Sequence, residues 1–382
     1  MKRIGGLWPQ IWEPENLRIA FHKAAKGKWD RPTTRHFASD YEGNLTRLRE
    51  QAEAGRLNTG RFTRFTIHDP KPRVIHAAVF EERVLHHAIM NICEPWFDRW
   101  LDDDCYACRR GKGCPPALER ARHFAGCYRW FLKLDIRKFF DSVNHEILLE
   151  LLERKFKDEA LLALFGQIVS GYETTPACGL PIGSLTSQHF ANFYLAGLDV
   201  FLRHEAKVSA MVRYMDDFAV WHADKSVLKQ LWHSLEGWLH EHRKLCLKTG
   251  THLNRTAHGM DFLGSRVFPA RILLNRRSRL RFQRKWMALE KAGELQEIPE
   301  AKLQQRMTSL VAFTERANSH DWRKRVFSKF RSTAKGLEPR EPRRQLEQQR
   351  QELPIGESQQ ELARQHEQQP GLPPRLGPSS VT

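Results

Sequence analysis

No stretch of this 382-residue chain is apolar and long enough to cross a bilayer, and the opening Met1-Lys2-Arg3-Ile4-Gly5-Gly6-Leu7-Trp8-Pro9 has no apolar signal core. The expectation is a cytoplasmic protein with no membrane partner. Cysteine is sparse, seven in all, which suits free thiols in a reducing compartment rather than a disulfide framework. Cys105, Cys108, Cys114 and Cys127 open with a zinc-like pair, but the spacing that follows is irregular, so no zinc site is expected. Internal repeats are absent. Beyond about residue 339 apolar residues give way to Gln, Glu, Arg and Pro, ending Pro370-Gly371-Leu372-Pro373-Pro374. Such a composition cannot bury a core, and a disordered tail is expected over residues 336–382.

Negative charge is also short. Lys and Arg number 62 against 45 Asp and Glu, a net charge of +17. An excess of that size points to a polyanionic partner. The basic residues are interleaved with aromatics, as in Lys26-Gly27-Lys28-Trp29, Arg61-Phe62-Thr63-Arg64-Phe65 and residues 276–286. Cations neutralise phosphates and aromatic rings stack on unpaired bases. For any single patch the plainer alternative is a basic surface with its aromatics in the core. At 41% hydrophobic, the chain can build a sizeable core and two or three subdomains.

Periodicity predicts helices over 16–26 and 41–54, a strand over 62–67, and a helix over 81–94 with Val84, Leu85, Ala88, Ile89 and Ile92 on one face and Pro95 as its stop. A strand over 131–136 leads to a helix over 146–155, and a further helix is expected over 189–204. The helix predicted over 225–242 carries Val227, Leu228, Leu231, Leu235 and Leu239 as a core stripe. Residues 276–330 read as basic and helical.

Two adjacent acids stand in Arg213-Tyr214-Met215-Asp216-Asp217-Phe218, between the apolar arms Met211-Val212 and Ala219-Val220-Trp221, a pattern that predicts a β-hairpin with both carboxylates at its tip. Adjacent like charges repel, so a fold tolerates them best beside a cation, although Asp is also a common turn residue. A third acid, Asp135, ends the apolar strand Phe131-Leu132-Lys133-Leu134-Asp135. One strand-end Asp and a hairpin Asp pair are what two-metal phosphoryl transfer requires, with Mg²⁺ ions bridged by shared carboxylates.

These segments resemble the reverse transcriptases. Phe131 to Asp135 is similar to the family's first palm motif, and Tyr214-Met215-Asp216-Asp217 resembles its Tyr-x-Asp-Asp box. Between them, Gly179-Leu180-Pro181-Ile182-Gly183-Ser184-Leu185-Thr186-Ser187-Gln188 resembles the second palm motif. Met260-Asp261-Phe262-Leu263-Gly264 looks like the strand pair that grips the primer end, through Phe262, Leu263 and Gly264. Asp69-Pro70-Lys71-Pro72-Arg73-Val74-Ile75, Glu82-Arg83-Val84-Leu85 and Cys105-Tyr106-Ala107-Cys108-Arg109-Arg110-Gly111-Lys112-Gly113 look like the fingers of bacterial members. The resemblance covers roughly residues 1–330 in the family's order. It implies an α+β right-hand polymerase: an N-terminal segment and fingers over 1–130, an antiparallel-sheet palm over 131–265, and a helical thumb over 266–335. It further implies RNA-directed DNA synthesis from dNTPs, on a template RNA with a primer or cDNA end. Asp135, Asp216 and Asp217 would hold two Mg²⁺ ions, for which Mn²⁺ can substitute.

The same resemblance assigns the nucleotide pocket. Phe140, five residues after Asp135, corresponds to an aromatic that packs on the incoming sugar and excludes a 2′-hydroxyl, with Phe139 as the alternative. Lys71 and Arg73 correspond to fingers cations on the triphosphate, Arg as a fork and Lys as a point charge. Lys248 stands where the family often has a lysine that protonates pyrophosphate. Ile182, Gly183 and Gln188 belong to the second motif, where most members have Gln-Gly-x-x-x-Ser-Pro and this chain has Ile182-Gly183 and Ser187-Gln188. That variant is similar to the enzymes of diversity-generating retroelements, which copy a template RNA with errors opposite adenine and work with a small basic accessory protein. An amide at this place can enforce pairing geometry by hydrogen bonding, whereas Ile offers only packing.

Other readings remain open. One is a reverse transcriptase of the group II intron, retron or phage-defence kind. No zinc-ligating nuclease segment follows the thumb and no Val-Thr-Gly lies within it, while RNase H and integrase segments are not evident. The other is an RNA-binding scaffold without catalysis, which has no need for three converging acids.

Overall fold

The computed structural model describes residues 3–68, 72–250 and 252–331. The chain divides into two units, Met1–Trp322 and Arg323–Thr382. Of the second unit only the end of the helix His320–Arg331 is described, so the expected tail lies outside the described residues, as does Lys71. No helix among the described residues is long and apolar enough to cross a membrane.

The expected α+β class is borne out. Helices Trp8–Ile11, Pro14–Ala25, Pro32–Ala38 and Tyr41–Glu53 precede an antiparallel hairpin, β1 (Phe62–Ile67) and β2 (Arg73–Ala78). Helices Phe80–Arg99 and Cys114–Cys127 lead to β3 (Trp130–Asp135). After helices His145–Glu153, Glu159–Ser170 and Leu185–Tyr194 come β4 (Met211–Tyr214), β5 (Asp217–His222), the helix Lys225–Arg243 and β6 (His252–Arg255). These strands make one antiparallel sheet in the order β4-β5-β3-β6. A second antiparallel sheet joins β7 (Met260–Phe262), β8 (Ser265–Val267) and β9 (Ile272–Leu274), followed by helices Arg276–Glu294 and Glu300–Glu315.

Strand alternation explains how the central sheet is sandwiched. Leu132, Leu134, Phe218, Val220 and Met211 point into one core, built largely with the surrounding helices. Phe131, Ala219, Trp221 and Val212 point to the other, shared with the helix Cys114–Cys127 and the β7–β9 sheet. Asp135 pairs in register with Asp217, Lys133 with Ala219 and Phe131 with Trp221. By the same alternation Lys133, Asp135 and Asp217 lie on the second face, at the end where its apolar ladder gives way to charge.

Three local expectations change. The helix at 81–94 does not stop at Pro95; it runs Phe80–Arg99 through the proline. Proline forfeits one backbone hydrogen bond, but Phe97 beyond it is buried among the rings of Phe156, Phe165, Phe190 and Phe193, and that packing holds the extra turn. The single helix expected over 189–204 is broken at Leu195 into Leu185–Tyr194, Ala196–Val200 and a wider turn, Phe201–Glu205. In the helix Lys225–Arg243, Leu228, Leu231, Leu235 and Leu239 are buried as expected, while Val227, on the flank of that stripe in the first turn, is 39% exposed.

The charged centre of the sheet is Arg213 on β4, with 1% of its surface exposed. Its guanidinium forks onto Asp199 with two 2.6 Å bonds and donates to Asn192 Oδ1 at 2.7 Å and to the Met215 carbonyl at 3.2 Å. Residues 104–106 run beside β4: Arg213 N–H donates to the Asp104 carbonyl and Tyr106 N–H to the Arg213 carbonyl, both at 2.9 Å, so the edge strand is covered. Removing one partner of such a pair strands a buried charge. Arg213→Met is expected to cost about 3–5 kcal/mol in urea unfolding, and adding Asp199→Leu should recover most of that loss. A double variant as unstable as the single one would refute this account.

Candidate active site

The hairpin expected at 211–221 forms, with β4 ending at Tyr214 and β5 starting at Asp217, so Met215 and Asp216 are the two turn residues. Met215 takes φ +61°, a left-handed conformation that few non-glycine residues adopt outside functional turns. The Arg213 guanidinium on its carbonyl and the burial of its side chain hold it there. Asp216 is thereby set at the tip, beside the Asp135–Asp217 pair.

Three carboxylates meet at this sheet end, and the electrostatics record it. Burial is the main force pushing Asp216 up, to about 6; Asp135 and Asp217 add repulsion, while its own backbone N–H and Arg73 oppose the rise. Asp217 is also raised, chiefly by burial and then by Asp135, against the pull of Lys133 and Lys248. The Lys133 ammonium lies 2.8 Å from Asp217 Oδ1, an ion pair on a buried oxygen that has no other polar partner. Lys248 Nζ donates to Asp135 Oδ2 at 2.8 Å, and its backbone N–H donates to the Asp135 carbonyl at 2.8 Å.

Among the described residues no three His, Cys, Asp or Glu side chains form a ready-made metal cage, the three aspartates included. The donor set nonetheless suits a hard divalent cation: all oxygen, crowded with like charge, and with one buried carboxylate oxygen held by a single ammonium. Lys133 and Lys248 hold part of that charge. The resemblance points to Lys248 but not to Lys133. Its signal was available, because it lies two residues before Asp135 on the same strand face.

Of the two cations expected from the fingers, Arg73 lies on β2 and Lys71 is outside the described residues. Arg73, the first residue of β2, acts electrostatically on Asp216. The second-motif loop packs under the same strand: His76 N–H donates to the Ile182 carbonyl at 2.9 Å. Gly183 has φ +119°, and a Cβ there would meet Ile75 Cγ2 at 2.7 Å. Glycine is required on both counts. Leu180 N–H donates to the Phe140 carbonyl at 2.8 Å, which joins the loop to the segment after Asp135. Phe139 is a core residue, 2% exposed, whereas Phe140 is half-buried against it, edge to face. Gln188 is exposed, and its Oε1 accepts from the Cys108 thiol at 3.4 Å. Ile182 is half-buried.

The proposed primer-gripping residues form the β7–β8 hairpin. Leu263 and Gly264 are its turn, with φ +47° and +79°, both left-handed as a type I′ turn demands. Phe262 is buried in the second core, on which Leu263 and Tyr214 also pack. The two hairpins therefore share one apolar support. Of the four cysteines considered for zinc, Cys105 donates to Asn192 and Cys108 to Gln188, while Cys127 contacts His123.

A family model described as reverse transcriptase (RNA-dependent DNA polymerase) matches residues 68–267, just over half of the chain. The group II intron-encoded protein LtrA of Lactococcus lactis is 28% identical over 139 residues, 35% of this chain and 23% of that protein. A putative COX1/OXI3 intron 1 protein of Saccharomyces cerevisiae is 25% identical over 161 residues, 38% of this chain and 19% of that protein. These curated relatives are thus matched over about a fifth of their own length. Telomerase from Candida albicans, solved with a fragment of telomeric RNA, aligns at 13% identity over 72% of this chain and 60% of that one, with a TM-score of 0.44.

Two outcomes are expected at this site. Asp216 holds its proton to about pH 6, above its value of about 4 in an unfolded chain. Its contribution to stability is therefore full below about pH 4 and lost as pH rises through about 6. Asp216→Asn should raise the melting temperature of the metal-free protein at pH 7, by an amount equivalent to about 3 kcal/mol; the gain should disappear near pH 4 and shrink in excess Mg²⁺. An equal gain at both pH values would rule out this cause. Gly183→Ala should displace β2 and lower the melting temperature, and an unchanged value would refute the close approach of the loop to Ile75.

Proposed function

Because the chain belongs to the reverse transcriptase (RNA-dependent DNA polymerase) family, we propose that it is an RNA-directed DNA polymerase, extending a primer or cDNA end along a template RNA with dNTPs. The α+β fold is that of a right-hand polymerase, and we assign residues 1–130 to the N-terminal segment and fingers, 131–265 to the palm and 266–335 to the thumb. The observation that carries the reading is the in-register pair Asp135 and Asp217, with Asp216 at the adjoining turn and Arg73 opposite it.

The reaction is attack of the primer 3′-oxygen on the α-phosphorus with departure of pyrophosphate. Asp135, Asp216 and Asp217 would hold two Mg²⁺ ions, with Mn²⁺ as a substitute. When bound, such ions activate the 3′-hydroxyl and neutralise charge on the triphosphate and the leaving group. Arg73 forks onto the triphosphate from β2. Phe140 sits with its ring half open beside the second-motif loop, where it would exclude a 2′-hydroxyl. Lys248, anchored on Asp135, is a source of a proton for pyrophosphate. Phe262, Leu263 and Gly264 would steady the primer end.

The finer reading is an enzyme of the diversity-generating retroelement type, working with a small basic accessory protein. Its support is Ile182-Gly183 with Ser187-Gln188, and the half-buried Ile182 beside β2, with no amide to enforce pairing. A group II intron-like enzyme is the second reading, favoured by the intron-encoded relatives.

Primer extension on an RNA template with Mg²⁺ and dNTPs, with and without a neighbouring small basic protein, separates these. Synthesis should stop on chelation of Mg²⁺. Asp216→Ala should abolish product while RNA affinity stays within about twofold, and equal loss of both would favour a scaffold. Errors concentrated at template adenines, and reduced by Ile182→Gln, support the diversity-generating type. Even, low error supports the group II-like one.

A further inference from the structure

Far from the aspartates in sequence, the loop after the helix Pro14–Ala25 builds a surface that the polymerase reaction does not use. Lys28 N–H closes onto the Ala25 carbonyl at 2.9 Å, with Gly27 at φ +69°, and this turn folds Trp29 back onto the helix. Trp29 stands edge to face against the buried Phe21, ring centroids 5.7 Å apart, yet 50% of it is exposed. With Ile19, 42% exposed, His22, Lys23 and Lys26, it lines an open hollow of about 380 Å³.

The surroundings are cationic. Lys23 and Lys28 are both lowered, by burial first and then by neighbouring guanidiniums: Arg110 for Lys23, and Arg83 and Arg31 for Lys28. His87, lowered to about 4 by burial and then by Lys23, Arg83 and Lys28, is neutral at pH 7. Glu94 opposes the cations on Lys23 and pairs with Arg110 at 3.6 Å, and Asp30 follows Trp29 in the chain. Lys23 Nζ donates to Asn91 Oδ1 at 2.6 Å, which fixes the ammonium at the rim of the hollow. A half-exposed indole beside Lys23, Lys26 and Lys28, where cations outnumber carboxylates, fits a base stacked on the ring with its phosphates on the lysines. An acidic peptide would satisfy the charge and leave the indole unused.

We propose that Ile19, Lys23, Lys26 and Trp29 form a docking site for an unpaired nucleotide of single-stranded RNA, distinct from the polymerase cleft. The choice of RNA over DNA rests on the polymerase reading above, in which the unpaired strand is the template and the DNA product is paired. The site holds a template segment outside the cleft, so affinity for the RNA exceeds what the primer end provides.

The test uses the full chain with its cleft saturated by an RNA–DNA template–primer duplex, and a fluorescent single-stranded 12-nucleotide RNA as probe. Trp29→Ala should weaken the probe about tenfold, and Trp29→Phe should restore most of the affinity. Lys23→Gln with Lys26→Gln should flatten the dependence on salt. Probe carrying 4-thiouridine should crosslink within residues 19–29. Unchanged affinity for Trp29→Ala, with an unchanged melting temperature, overturns the site. A DNA 12-mer bound more tightly through Trp29 overturns the assignment to RNA. Loss of binding to phosphatidylserine vesicles, with RNA affinity intact, overturns it in favour of a membrane surface. Primer extension on the same preparation keeps the two readings apart. Extension by the wild type with Trp29-independent binding sinks the site alone, and Trp29-dependent binding without extension sinks the polymerase reading alone.

Discussion

The buried guanidinium of Arg213 is the interaction on which the rest of the site depends. It lies on an edge strand with almost no exposure and satisfies Asp199, Asn192 and the Met215 carbonyl at once. The last of these bonds fixes the first turn residue in a left-handed conformation, and that conformation sets Asp216 at the tip. Asn192 is held in turn by the Ala107 carbonyl at 2.9 Å and the Cys105 thiol at 3.4 Å. A helix, an edge strand and a covering loop are therefore tied to one charge. A pair buried this deeply gains little net stability against its desolvation cost, but it does specify a unique arrangement. Here that arrangement is a turn aimed at the neighbouring strand.

Around this anchor the sheet concentrates like charge at one end. Asp135 faces Asp217 across the ladder, a pairing that destabilises an ordinary sheet. Lys133 and Lys248 offset the repulsion without removing it, and burial still keeps Asp216 and Asp217 above the usual carboxylate range. Strain of this kind has a use only if a cation or a charged substrate relieves it. The same logic applies on the opposite sign to the Trp29 surface, where lysines and arginines outnumber the carboxylates beside them and a further anion would relieve the crowding.

The side of the site proposed for the nucleotide is made by close approach rather than by charge. Gly183 admits β2 against the second-motif loop because it has no Cβ, and β2 carries Arg73 toward Asp216. Phe139 and Phe140 divide the work expected of one aromatic: the first fills the core and the second remains at the surface of the pocket. The β7–β8 hairpin rests on the same apolar cluster as Tyr214, so a shift in one hairpin is felt by the other.

The sequence by itself determined the local elements and the chemical identity of the centre. Alternating apolar residues defined β3, β4 and β5, and the adjacent acids between two such arms defined the turn, because period and turn chemistry act over a few residues. Lys133 was equally legible by its spacing from Asp135, although only the ion pair with Asp217 gives it a role. Tertiary structure alone decided which charges meet. Arg213 and Asp199 are 14 residues apart, and Lys248 and Asp135 are 113 apart, separations at which local pattern holds no information about pairing. It also carried the helix through Pro95, since the burial of Phe97 outweighs the bond that proline forfeits, and it left Val227 outside the core at the stripe's margin. Propensity is a matter of tenths of a kcal/mol to a few kcal/mol per residue, and the packing of a core overrides it wherever the two disagree.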